Sequence, residues 1–333
     1  MRILVDKDLD RVEWDAIVQS AESGTWFQTP SAFDFFQSQP EQFLPFAYGL
    51  ENDGKLRAVC AGYITQERSK LKQFLTRRAI IIGGPALADD CTDAEVAALM
   101  SAVRKELRFK AIYVECRNFN SYERWKDAFA SGGFYYIPHL NFHVDCTNKE
   151  AMDAALSENR KRQIKKAIKS GVEIVEAQSE QEIADWFIIL QNLYYTKVKT
   201  PLFSLSFFLE FYRQKRGKYL LVKYENKVIG GIMCPIMEGR CIYEWFVCGN
   251  DTEYKNQNPS VMATYAAMEY GHTHGLGRFD FMGAGKPNEP YGVRDFKARF
   301  GGNEVENGRF LAITKPILYK IGVWGVKLLK CIK

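Results

Sequence analysis

Residues 291–302 read YGVRDFKARFGG, and residues 122–133 read YERWKDAFASGG. Each run opens on a tyrosine, carries an aromatic-Lys-x-x-Phe core and stops at a Gly-Gly pair. Trp125-Lys126-x-x-Phe129 matches Phe296-Lys297-x-x-Phe300 at one offset of 171 residues (296 − 125 and 300 − 129). The aromatics lie four apart, on one face of a short helix, and a glycine pair is an ordinary helix stop. Two such runs predict a duplicated chain. They also pose a question: whether Lys297, between Phe296 and Phe300, is a surface charge or an ammonium held against an apolar wall.

The surrounding elements repeat in the same order. In the first half, FLPFAYGLEN (43–52) and LRAVCAGYIT (56–65) read as strands joined by a turn at Asn52-Asp53-Gly54. A helix follows over 93–107, a strand over 111–119, the 122–133 helix, and a strand within 134–146. In the second half, strands within 218–227, 228–236 and 240–250 precede a helix over 259–275, a strand at 278–285 and the Lys297 helix. The hairpins ENDGKLRAVCAG and ENKVIGG correspond loosely. A period this long is not that of a solenoid. The expected architecture is α/β, with domain 1 over 1–148, domain 2 over 149–314, and a last helix, 315–333, outside the duplication.

That last segment, KPILYKIGVWGVKLLKCIK, sets Lys320, Lys327, Lys330 and Lys333 on one helical face. Ile317, Ile321, Trp324, Leu328 and Ile332 lie on the other. It reads either as a helix packing its apolar face back on domain 1 or as a basic amphipathic helix touching an anionic membrane surface.

Composition narrows the class. The 333 residues are 47% hydrophobic and 26% charged, enough apolar content for two cores and too much for a disordered chain. A formal charge of +5 suits an anionic substrate or surface without implying a dedicated nucleic-acid binder. The eight cysteines are scattered without a CxxC pair, so buried free thiols and a reducing cytoplasm are expected. The start of the sequence is too charged for a signal peptide, and no apolar run approaches the ~18 residues that span a bilayer.

Nucleophilic and metal chemistry find no support. There is no GxSxG, Walker A or GxGxxG pattern. His272 and His274 form a His-x-His with no cysteine or acid cluster to supply further ligands, and read as helix-end groups satisfying carbonyls rather than metal ligands. The run ENRKRQIKKAIKSG (158–171) gathers Lys161, Arg162, Lys165, Lys166 and Lys169 on one broad helical face. It is either a solvated face or a seat for phosphates of a nucleotide-linked substrate or of RNA. Candidate substrate contacts are Tyr243, Trp245, Asp280, Gly283 and Arg294 in the second half, with Trp26 and Gln28 in the aromatic run 25–37. Asp280, between Phe279 and Phe281, should point to the sheet face opposite theirs.

The basic helix, the central strand IYEWFVCGN and the run FDFMGAGKPNEPYGVRDFKARFGG together resemble the Fem-type (FemAB-like) aminoacyltransferases, which consist of two Gcn5-related N-acetyltransferase (GNAT) folds in tandem. The resemblance is strongest over about 150–310. It implies transfer of an aminoacyl group from aminoacyl-tRNA to an amine of a nucleotide- or lipid-linked cell-wall precursor. It also implies that Phe296-Lys297 lies at the catalytic cleft and that Tyr243 contacts substrate. The chain lacks the helical-hairpin insert of larger members and so resembles the compact form. Its first domain shows no counterpart of the compact members' substrate lysine. KNQNPS (255–260), before the 259–275 helix, holds no glycine, unlike the pyrophosphate loop of acetyl-CoA enzymes.

The expected chemistry needs no enzyme nucleophile and no resident cofactor, because the aminoacyl ester is already activated. Lys297, charged and held by Asp280 or Asp295, would stabilise the oxyanion, with Phe296 and Phe300 excluding water. The general base is unassigned. Two other functions fit the same residues: an N-acyltransferase using acyl-CoA or an acyl-carrier thioester, and a non-catalytic binder of an anionic membrane-linked precursor.

Overall fold

This computed structural model describes residues 1–67 and 69–331. The contacts divide the chain into two units: residues 1–139 with 306–333, and residues 140–305.

The first unit runs β1 (Arg2–Val5), α1 (Arg11–Ser20), α2 (Pro30–Gln37), β2 (Phe43–Asn52), β3 (Lys55–Thr65), α3 (Lys70–Thr76), β4 (Ala79–Gly83), β5 (Ala86–Leu87), α4 (Asp93–Leu107), β6 (Tyr113–Asn118), α5 (Lys126–Ser131) and β7 (Tyr135–Ile137). The second runs β8 (Leu140–Asp145), α6 (Lys149–Ala155), α7 (Glu158–Lys169), β9 (Glu173–Glu176), α8 (Glu180–Leu193), α9 (Leu205–Arg213), β10 (Gly217–Tyr224), β11 (Lys227–Met237), β12 (Cys241–Tyr243), β13 (Phe246–Gly249), α10 (Pro259–Thr273), β14 (Arg278–Asp280), α11 (Gly292–Ala298) and β15 (Asn303–Glu306). The chain then adds β16 (Arg309–Ile313) and α12 (Pro316–Cys331) to the first unit.

Each unit is built on a mixed sheet. The first has the order β1-β2-β3-β4-β6-β16-β7 with β5 on β3, and the second has β15-β8-β14-β12-β11-β10-β9 with β13 on β11. The hairpins repeat in detail. β2–β3 turns on Asp53 and Gly54 (φ 51° and 72°), β10–β11 on Glu225 and Asn226 (φ 50° and 62°), the paired left-handed residues of a two-residue hairpin loop. Each register shifts just before its turn, at Leu50/Glu51 and at Val222/Lys223. Each Gly-Gly stop puts one glycine in the left-handed region, the second of the first pair (Gly133, φ 85°) and the first of the second pair (Gly301, φ 80°).

Two segments depart from the sequence reading. Residues 140–145, expected to close domain 1, form β8 and pair antiparallel with β14, so the unit boundary falls at 139/140 rather than 148/149. Residues 309–313, expected in domain 2, form β16 between β6 and β7. Their side chains decide it: Phe310 stacks on Phe129 at 3.9 Å, while Phe142 and Val144 join the core around Phe279, Phe281 and Phe300.

α12 belongs to the first unit, but not through the face expected. Tyr319, about 200° round the helix from Ile317, meets Tyr113 edge-on at 5.5 Å, and Ile317, Ile321 and Trp324 stay exposed. The side chains of Lys327, Leu328 and Lys330, and residues Ile332 and Lys333, lie outside what is described. The cysteines Cys60, Cys91, Cys116, Cys146, Cys234, Cys241 and Cys248 are free and buried. No helix among the described residues is long and apolar enough to cross a membrane.

Candidate active site

The centre of the second unit forms where its sheet divides. β12 runs parallel to β14, pairing Tyr243 with Asp280, and the next residues leave that ladder to run as β13 along β11. At the junction the Glu244 amide donates to the Asp280 carbonyl (2.9 Å) and the Trp245 amide to the Met233 carbonyl (3.1 Å). Glu244 is buried there. Its carboxylate faces Lys297 of α11 at 3.1 Å and accepts from the Thr264 hydroxyl of α10 at 3.3 Å.

Lys297 is no surface charge. The side chain is buried, and its ammonium donates to the carbonyls of Phe281 (2.7 Å) and Gly283 (2.9 Å) besides facing Glu244. Three acceptors match the three protons of an ammonium. The counter-ion is therefore Glu244, not Asp280 or Asp295; Asp295 is exposed, and Asp280 is engaged on the other side of the same turn. Burial raises the Glu244 pKa, and the Lys297 charge pulls it back part of the way. Its duplicate in the first unit, Lys126, stays at the surface, paired with Glu123 and lying 4.1 Å over the Tyr136 ring.

The turn after β14 is clamped from both sides. Met282 adopts φ 57°, costly for a non-glycine residue. Its amide donates to Asp280 Oδ1 (2.7 Å), and the Gly283 amide donates to Asn141 Oδ1 (2.7 Å). The Asn141 amide in turn donates to Asp280 Oδ1 (2.8 Å), and His143 Nε2 lies 3.1 Å from Asp280 Oδ2. As expected, Phe279 and Phe281 enter the core while Asp280 faces away from it. Burial alone would raise the Asp280 pKa; the His143 ring, the Arg278 guanidinium and Asn141 outweigh it and hold the carboxyl below its usual range. The Asn141 amide also lies 3.3 Å from His143 Nε2, and a partly accessible histidine beside a buried aspartate is a group able to accept and return a proton.

Arg160, inside the basic run but not singled out from sequence, is buried. Its guanidinium sits 4.2 Å from the Phe296 ring and 4.5 Å from that of Phe300, and donates to the Phe296 carbonyl at 3.1 Å. Burial and the nearby Arg299 pull its pKa down to about 10. Phe296 and Phe300 thus brace α11 against α7. The other cations of α7 face outward: Arg162, Lys165 and Lys169 are exposed, Lys161 pairs with Glu158, and Lys166 donates to Asn256 at 2.7 Å.

The remaining candidates divide. Trp245 is half-buried, packed edge-on to Phe207. Arg294 spends its guanidinium on the carbonyls of Ala284 (2.9 Å), Pro287 (3.2 Å) and Lys286, which shapes the 284–287 loop. Tyr243 is fully buried. In the first unit Trp26 and Gln28 are core, not groove wall. The Gln28 amide donates to the carbonyls of Ala61 and Ile82 (both 2.9 Å) and accepts from the Ala61 amide (2.8 Å), bridging β3 and β4 as a backbone would. His272 and His274 satisfy the carbonyls of Cys146 (2.8 Å) and Tyr270 (3.0 Å).

Both helix starts that could seat a pyrophosphate already hold a carboxylate. At α10, Asp251 accepts from the Ser260 amide (3.1 Å) and hydroxyl (2.5 Å), with Pro259 lacking an amide proton. At α4, Thr92 and Glu95 close a capping box, and Glu95 falls to about 2 because backbone, Thr92, Asn52 and Arg57 contacts outweigh its burial. Sequence signals existed for Glu95, in the Thr-x-x-Glu spacing, but not for Glu244, Asn141 or His143.

Residues 141–297 match the family of acetyltransferase (GNAT) domains. No curated protein matches the sequence. Among solved structures the chain is similar to FemX, at TM-score 0.72 and 14% identity, covering 96% of this chain and 99% of that one. It is also similar to the C-terminal domain of a putative lysylphosphatidylglycerol synthetase from Agrobacterium fabrum (TM-score 0.59, 11% identity, 96% and 95% covered). A tandem GNAT protein from the clavulanic acid biosynthesis pathway follows at TM-score 0.58 and 10% identity, with 94% and 99% covered.

Proposed function

We propose that this tandem-GNAT chain, with an acyltransferase-type second unit, transfers an aminoacyl group from aminoacyl-tRNA to an amine of a cell-wall (peptidoglycan) precursor in the cytoplasm. The acceptor is nucleotide-linked, or lipid-linked at the inner face of the membrane. The observation that carries the choice of donor is the Asp251 carboxylate on the first turn of α10. A pyrophosphate placed there would meet a negative charge in place of open amide protons, which disfavours coenzyme A thioesters. The exposed cations Arg162, Lys165, Lys166 and Lys169, with Lys161, suit a phosphate backbone instead.

In the reaction the acceptor amine attacks the ester carbonyl. A C–N bond forms, the C–O bond to the ribose breaks, and the proton lost by the amine ends on the ribose oxygen. His143, its Nε2 turned to Asp280, is our assignment for the group that carries this proton. Lys297 holds the carbonyls of Phe281 and Gly283 and fixes the turn between the Asp280 and Glu244 groups, so we assign it a positioning role. Phe296 supports α11 from the Arg160 side.

The test is transfer by purified protein to nucleotide- and lipid-linked amine acceptors, using charged tRNA with and without RNase, in parallel with acetyl-CoA. RNase-sensitive transfer that falls at least a hundredfold in His143→Gln, with substrate KM unchanged, is expected. Transfer from the thioester alone would overturn the donor assignment, and binding without turnover would overturn the enzyme reading.

A further inference from the structure

Three neighbouring elements of the first unit expose large apolar side chains together: Phe74 and Leu75 on α3, Phe109 after α4, and Ile317, Ile321, Val323 and Trp324 on α12. Phe109 is 70% exposed, Ile317 76% and Trp324 69%, far from the scattered partial exposure usual for a surface. These elements are tied to one another. The Lys315 ammonium lies 6.0 Å over the Phe74 ring and 3.5 Å from the Phe109 carbonyl, to which Arg77 also donates at 3.2 Å. α12 is anchored by Tyr319 on Tyr113, and that choice of face turns Ile317, Ile321 and Trp324 outward.

Charge decides what such a surface fits. The segments 68–78, 108–113 and 315–333 hold twelve lysines and arginines and not one aspartate or glutamate. The Arg108 guanidinium lies 4.4 Å over the Phe109 ring, an exposed aromatic carrying its own cation. Lys315 and Arg77 crowd the same carbonyl, and partial burial together with Arg77 lowers the Lys315 pKa. An excess of cations around exposed Phe, Ile and Trp makes an interfacial surface, in which the apolar groups enter the headgroup boundary and the cations meet lipid phosphates.

We propose that α3, Phe109 and α12 form a docking surface for an anionic lipid bilayer, through which the protein binds the membrane peripherally. The transfer reaction is not needed for this contact. It can fail while the acyl transfer stands, or stand while transfer fails.

The test is co-sedimentation of the full chain with vesicles of phosphatidylglycerol and phosphatidylcholine in equal parts, against pure phosphatidylcholine, without donor or acceptor. Binding to the anionic vesicles at least tenfold tighter than to the neutral ones, weakened by salt, is expected. Ile321→Asp with Trp324→Asp should lower it tenfold or more while leaving the unfolding midpoint unchanged, because both side chains are exposed. Lys315→Gln with Lys320→Gln should weaken anionic binding alone. Equal binding by the Asp variant, or none by the wild type, overturns the proposal. Self-association on a sizing column that the Asp variant abolishes, without vesicle binding, would assign the patch to a second copy instead and overturn it as well.

Discussion

Replacing Lys297 with methionine keeps the length of the side chain and removes its charge. Glu244 is then left 5% exposed, with Thr264 as its remaining side-chain partner and no counter-ion, and the carbonyls of Phe281 and Gly283 lose their donor. Breaking a buried pair from one side costs about 3–5 kcal/mol, so Lys297→Met should lose that much in urea unfolding at pH 7, followed by tryptophan fluorescence. The loss should shrink as pH falls. Burial already raises the Glu244 pKa, and without the ammonium it rises further, so the folded variant takes up a proton that removes the uncompensated charge. Glu244→Gln combined with Lys297→Met should recover most of the loss at pH 7, leaving a coupling of about 2–3 kcal/mol between the two sites. The folded double variant then isolates the positioning role, because its transfer rate can be read without the cost of a buried charge. A single variant within about 1 kcal/mol of wild type, or a double variant no better than the single, would refute the clamp.

Two further outcomes rest on the first unit. Glu115, between Arg117 (2.9 Å) and Arg309 (2.8 Å), has its pKa held to about 2, because those charges outweigh its burial. A depressed carboxyl stabilises the fold above its unfolded value of ~4.3, and that contribution, roughly 3 kcal/mol, is lost as pH falls from about 5 to about 2. Unfolding free energy measured against pH should show this slope, and Glu115→Gln should flatten it. Gln28→Ala leaves the Ala61 amide and the Ala61 and Ile82 carbonyls without their side-chain partner, so a loss of about 2–3 kcal/mol in denaturant unfolding is expected, with Gln28→Glu no better.

Much of the architecture was legible in sequence because its signals are local. The paired aromatic-Lys-x-x-Phe runs, their glycine stops and the two hairpin turns each depend on residues a few positions apart; both hairpins took the form their spacing predicts, and each run formed a helix shorter than its spacing suggests, with Trp125 before α5 and Phe300 beyond α11. Strand alternation likewise put Asp280 opposite Phe279 and Phe281. The exchange of residues 140–145 and 309–313 between the sheets was not legible. A strand reads the same whichever neighbour it joins, and its partner is chosen by burial of Phe142, Val144 and Phe310 far along the chain.

The candidate site divides in the same way. Sequence alone determined that Lys297 lies between aromatics at the end of a second α/β unit, that α7 is basic and that α12 is amphipathic. Tertiary structure decided that Glu244, 53 residues before Lys297, is its counter-ion, and that His143 and Asn141 meet Asp280 across the β8–β14 ladder. It drew Arg160 out of a run of cations and buried it between Phe296 and Phe300. It also turned the apolar stripe of α12 outward by anchoring the helix through Tyr319. The physical reason is common to all four. A residue's chemistry and its face on an element follow from local covalent geometry, whereas the partner of a charge or of an apolar face is set by which distant segments exclude water together.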